Sequence, residues 1–164
     1  MGCTMSSISY APVHAIDSSI KPLQILLVDK SPYALYSIKR QLTAVGHNVT
    51  TSMSGIEAVE IIKEKWLQTQ SIYQVIMIDL NMPFEYYYPT NIIRDELEDN
   101  LEANIPEKIR LPQLFIIGMT NNLKHNYDKF EYDELLLKPF TMNQFHKIIK
   151  DSKHLIHYKT NFTP

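Results

Sequence analysis

Four short apolar runs in this chain each stop on a residue able to do phosphate chemistry. Ile25-Leu26-Leu27-Val28 stops on Asp29, and Val75-Ile76-Met77-Ile78 stops on Asp79. Leu114–Met119 stops on Thr120, and Leu135-Leu136-Leu137 stops on Lys138-Pro139. If these runs are neighbouring strands of a parallel sheet, their carboxyl ends lie side by side, where such sheets bind ligands. Two carboxylates, a hydroxyl and an ammonium then converge in one crevice. That set suits a phosphoryl group on Asp79, held by a hydroxyl and a cation.

The elements that must position these residues follow from periodicity. Leu23–Val28 reads as a fully apolar strand. Ser31-Pro32 opens a helix, serine as cap and proline in the first turn, with Leu35, Ile38, Leu42 and Val45 at helical spacing and Gly46 as the stop. Asn48–Met53 is a short β-branched strand. Ser54 and Glu57 form a capping-box pattern ahead of a helix whose inward face carries Ile56, Val59, Ile62 and Trp66. Val75–Leu80 is the most apolar strand and is expected at the sheet centre.

Beyond a loop with Pro83, Tyr86, Tyr87, Tyr88 and Pro89, a helix is expected near Asn91–Glu102. Residues 103–112 read as a connection, Leu114–Met119 as the fourth strand and Asp133–Leu137 as the fifth. The stretch from Asn121 to Lys129 is a poor helix. Thr141 and Gln144 cap a last helix with Phe145, Ile148, Ile149 and Ile156 inward. Five strands alternating with helices predict one doubly wound α/β domain at 23–157, between tails at 1–22 and 158–164.

Composition narrows the function classes. The chain has 164 residues, 45% of them hydrophobic and 21% charged, with a formal net charge of −2. That balance gives no electrostatic reason to expect nucleic acid. No apolar run approaches a membrane span, and the N-terminus resembles neither a secretory nor a transit peptide. The one cysteine, Cys3, excludes an internal disulfide and fits a reducing, cytoplasmic compartment. Met1-Gly2-Cys3-Thr4-Met5-Ser6 matches an N-myristoylation pattern, with Cys3 as a palmitoyl position; acylated Gly2 and Cys3 together would anchor the chain to a membrane. The competing reading is an unmodified N-terminus. The six histidines show no metal-ligand spacing, and no nucleophile elbow or phosphate-cradling glycine loop is present.

The stretches ILLVDKSPYALYSIKRQL, GIEAVEII, YQVIMIDLNMP, FIIGMT and DELLLKPF, in that order, resemble the CheY-like receiver domain of two-component response regulators. The resemblance implies a flavodoxin-like, five-stranded parallel sheet in the order 2-1-3-4-5. It implies phosphorelay signal transduction, in which a histidine kinase or phosphotransfer protein passes a phosphoryl group to an aspartate with Mg2+ at the site. By position, Asp79 matches the phospho-acceptor. Asp29, Asp79 and the backbone carbonyl of Asn81 match the metal ligands. Thr120 and Lys138 match the residues that sense the phosphoryl group, and the bond from that lysine to Pro139 is often cis.

Four departures accompany the resemblance. Where the family has two adjacent acids, this chain has Asp29-Lys30, which removes a ligand and adds a positive charge beside the metal position. Either Lys30 stands in for the metal by pairing with Asp79, or its long side chain turns to solvent. Tyr86-Tyr87 replaces an aspartate-glycine turn, and the tyrosine cluster reads equally as a contact patch or as a cover over the altered loop. Leu135 sits where the last strand's switch aromatic is expected. The Asp79–Thr120 interval is long and the Thr120–Lys138 interval short, which makes the fourth helix short or irregular.

The sequence therefore supports a non-enzymatic signalling domain that acts through protein contacts. The alternative is a phosphorylation-independent pseudo-receiver serving as a subunit of a larger assembly, such as a cytoskeletal one. Signalling predicts an accessible Asp79; the structural role predicts that Lys30 or a tyrosine fills the pocket.

Overall fold

The computed structural model describes residues 20–69, 71, 73–82, 90, 91, 93, 114–122 and 132–153. Gly2, Cys3, the tyrosine cluster, Ile156 and the 158–164 tail lie outside them, as do most of the 1–22 tail and most of the helix expected at Asn91–Glu102.

Five strands form one parallel sheet: β1 (Gln24–Val28), β2 (Asn48–Ser52), β3 (Val75–Asp79), β4 (Phe115–Thr120) and β5 (Glu134–Leu137). Their order is β2-β1-β3-β4-β5, as the resemblance implies. Val75–Asp79 is central, and every residue of β3 and β4 is buried. Strands covered on both faces read as unbroken apolar runs rather than alternating ones. The edge strands β2 and β5 are only partly buried, and β2 is correspondingly polar, Asn-Val-Thr-Thr-Ser.

Helices α1 (Pro32–Ala44), α2 (Gly55–Thr69) and α3 (Met142–Asp151) divide between the two faces. Leu35, Ile38 and Leu42 of α1 join Met142, Phe145 and Ile149 of α3 over Ile25, Leu27, Met77, Phe115 and Ile117. On the other face Ala58, Val59 and Ile62 of α2 pack on Leu26, Ile76, Ile78 and Ile116. Thr90, Asn91 and Ile93 are helical, and Ile93 is fully buried in this second core.

The capping signals held, with one difference of detail. The Ser31 hydroxyl accepts from Ala34 N–H with Pro32 in the first turn, and Thr141 with Gln144 makes a complete capping box. Ser54 caps α2 through Glu57 N–H, but the Glu57 carboxylate reaches past Ser54 to Met53 N–H at 2.7 Å and the Ser52 hydroxyl at 2.9 Å. Those two hydrogen bonds, the Met53 one foremost, hold the carboxyl below its ordinary range. Ile56, expected inward, is 64% exposed. The buried stripe of α2 runs instead through Gly55, Ala58, Val59 and Ile62, a helical spacing that turns position 56 to solvent.

Two glycines matter geometrically. Gly46 takes φ 97° and ends α1, with its N–H on Thr43 O and His47 N–H on Leu42 O. That pair is a Schellman closure, which a side chain at Gly46 would strain. Gly118 lies on β4, where an added Cβ would come within 2.8 Å of Leu80 Cδ1. Because Leu80 is buried directly after Asp79, Gly118→Ala is expected to destabilise the fold by about 1–3 kcal/mol. Urea unfolding of the variant checks this.

Candidate functional site

Backbone register puts the four chemical residues in a row. Val28 pairs with Ile78, Asp79 with Met119, and Thr120 with Leu137. Each ladder continues one step past its strand: Asp29 N–H donates to Ser52 O, Leu80 N–H to Met119 O, and Lys138 N–H to Thr120 O. The chain therefore leaves the sheet at Asp29, Asp79, Thr120 and Lys138 on the same edge, as expected.

Lys138 ties the group together. Its Nζ lies 3.2 Å from Asp29 Oδ2 and 3.0 Å from Asp79 Oδ1. Both carboxylates are almost wholly buried, with side-chain exposures of 2% and 6%. Buried carboxylates are tolerated when a cation and hydrogen bonds offset their lost hydration. Asp29 has both: Oδ1 accepts Ser31 N–H at 2.9 Å while Oδ2 takes the ammonium. The Lys138-Pro139 bond is cis, as the resemblance suggests.

Asp79 is held asymmetrically. Oδ1 accepts Asn81 N–H at 3.1 Å, Asn81 Nδ2 at 3.0 Å and the Lys138 ammonium. Among the described residues Oδ2 has no such partner, and no fully buried side-chain oxygen or nitrogen lacks one. One oxygen is fixed by three contacts and the other is left without a hydrogen bond or ion pair among the described residues, on a side chain that is only 6% exposed.

The Asn81 side chain is a member of the site that the sequence reading missed, having given that residue only a backbone role. Its amide donates to Asp79 Oδ1 and, at 3.3 Å, to Thr120 Oγ1. The available signal was an Asn two residues after the acceptor, a spacing that favours a side-chain-supported turn. Thr120 is fully buried; its hydroxyl also accepts Asn122 N–H at 3.0 Å and lies 3.5 Å from Asn122 O.

Lys30 does not fill the pocket. It is exposed, and among the described residues it makes no ion pair with Asp29 or Asp79. The ammonium that meets Asp79 belongs to Lys138, so the reading in which Lys30 pairs with the acceptor is replaced by the solvent-facing one. Leu135, in place of an aromatic, is half-buried against the α2-side core.

The donor set suits a hard divalent cation only in part. Magnesium takes one or two carboxylates and keeps several waters, and Asp29 and Asp79 supply two carboxylates, which here converge on the Lys138 ammonium. A third acid is missing, and no group of three His, Cys, Asp or Glu capable of holding a metal occurs among the described residues.

No family profile matches the sequence, and no curated protein does. Solved structures do match. A point variant of the receiver domain of the histidine kinase CKI1 from Arabidopsis thaliana superposes with a TM-score of 0.61 at 19% identity, covering 85% of this chain and 95% of that one. The chain has the fold of a CheY-like receiver domain. The receiver domain of a Pseudomonas aeruginosa sensor histidine kinase, with magnesium in its active-site cleft, gives 0.58 at 23% identity, covering 84% and 99%. The chemotaxis protein CheY4 of Vibrio cholerae gives 0.55 at 20%, covering 80% and 98%.

Removing the bridging cation leaves two buried carboxylates facing each other. Lys138→Met is expected to lower stability at pH 7 by about 3 kcal/mol. Urea titrations of both proteins at pH 7 measure it.

Proposed function

We propose that this chain is a receiver domain that accepts a phosphoryl group on Asp79 from a phosphohistidine donor and signals through protein contacts. The observation that carries the reading is the Asp79 carboxylate, whose Oδ1 is pinned by Lys138 and Asn81 while Oδ2 has no hydrogen bond or ion pair among the described residues. Receiver domains are in general signalling modules, and two of the similar structures come from histidine kinases.

In the transfer, Asp79 Oδ2 forms the new O–P bond as the N–P bond of the donor breaks. The bonding pair returns to the donor imidazole nitrogen, and the product is an acyl phosphate. Lys138 stays beside the acceptor and offsets the charge that the phosphoryl oxygens bring. The Thr120 hydroxyl can exchange its long contact to Asn122 O for one of those oxygens, and this moves the β4 end. Asp29, Asp79 and the Asn81 carbonyl would hold Mg2+. When bound, that ion neutralises charge on the transferring group.

Affinity for the ion is weak in this reading, because Lys30 supplies a positive charge where the family has a ligand. Incubation with acetyl phosphate and Mg2+, followed by intact-mass measurement, tests the proposal. One phosphoryl adduct is expected on the native chain and none on Asp79→Asn. Lys30→Asp is expected to bind Mg2+ about tenfold more tightly, ~1.4 kcal/mol, and to saturate at lower Mg2+. An adduct on Lys30→Asp alone would mean that Lys30 disables the site, favouring a phosphorylation-independent assembly subunit.

A further inference from the structure

At the end of the sheet away from the pocket, the turn that closes α1 delivers His47 into contact with α3. Leu23 N–H donates to His47 Nδ1 at 3.2 Å, and His47 Nε2 lies 3.2 Å from His146 Nε2. Both rings are buried, at 3% and 7% exposure. They meet edge to face at 5.5 Å between centroids, and the Phe145 ring packs against each.

The donors fix where the protons sit. A backbone N–H can only donate, so His47 Nδ1 carries no proton and Nε2 carries one. Only one proton fits between two nitrogens 3.2 Å apart, so His146 Nε2 accepts and its own proton is on Nδ1. Both rings are neutral. A proton added to His47 Nδ1 would face Leu23 N–H, and one added to His146 Nε2 would face His47 Nε2–H. Either addition breaks the chain of hydrogen bonds. The same constraint rules against a metal between the two rings, since coordination would force His47's proton onto Nδ1.

We propose that His47 and His146 form an acid-released latch fastening α3 to the start of the sheet. Among the described residues of the surrounding elements, the charged side chains are few and exposed. Residues 41–56, which include the α1 turn and β2, carry no charged side chain. Ahead of β1 stands exposed Lys21; α3 adds Lys147 and Lys150, both exposed, and Asp151 at its exposed end. Consistent with this, burial first and the neighbouring His146 second lower the His47 pKa from 6.5 to about 4.

The sign follows from linkage. A histidine kept neutral in the closed state and free to protonate in the open state contributes its full stabilisation above pH 6.5. That contribution is lost as pH falls from there towards about 4. Opening of α3 should therefore rise about 30-fold through His47 between pH 7.5 and pH 5.

The full chain is tested by hydrogen exchange at pH 7.5 and 5, corrected for intrinsic rates. His47→Gln is the control, because its amide can accept from Leu23 N–H and donate to His146 without titrating. Exchange across Phe145–Asp151 should increase at least tenfold more at pH 5 in the native chain than in His47→Gln. Imidazole 15N spectra of the native chain give a readout that needs no variant: the Nε2–H tautomer at His47, untitrated down to pH 5. Equal pH dependence in the two proteins, an Nδ1–H tautomer, or titration of His47 near 6.5 would overturn the latch.

Discussion

One ammonium holds the carboxyl edge of this sheet together. Lys138 stands between Asp29 and Asp79, both buried, and its charge offsets the hydration that both carboxylates lose there. The three residues come from three strands, and Lys138 is 109 positions from Asp29. The contact exists only because β5 lies beside β4, β4 beside β3, and β3 beside β1. Strand order is thus a condition of the site's electrostatics, and the apolar burial that fixes the order precedes the chemistry.

That burial has two halves. The α1–α3 core and the α2 core cover opposite faces of β1, β3 and β4, so the central strands have no face that admits polar residues. Polar chemistry is confined to the strand ends, where the ladders run out. Gly118 shows how tight the fit is near the edge: Leu80 occupies the space a side chain there would need. The same packing that stabilises the sheet therefore fixes the backbone on which Asp79 sits.

Charge at the pocket follows from two lysines with different duties. Lys138 is drawn inward by two carboxylates, whereas Lys30, one residue from Asp29, stays in solvent. The pocket therefore holds two buried carboxylates on one ammonium, with a second positive charge in solvent beside it. The opposite end of the sheet carries no such ion pair among the described residues; there two buried histidines, His47 and His146, meet instead.

Much of the molecule was legible in the sequence because it is local. Unbroken apolar runs named the buried strands, Ser31-Pro32 and Thr141/Gln144 marked helix starts, and Asp29, Asp79, Thr120 and Lys138 were each the residue at which a strand ends. Hydrophobic periodicity and capping act over a few residues, so a linear reading recovers them. Other features needed the fold. Which lysine meets Asp79, the bridging amide of Asn81, the outward turn of Ile56 and the His47–His146 contact across 99 residues all depend on through-space neighbours. The sequence determined the strands, the caps and the chemical types at the strand ends. Tertiary structure alone decided the pairings among them, because burial and hydrogen bonding select partners by distance in space and not by position along the chain.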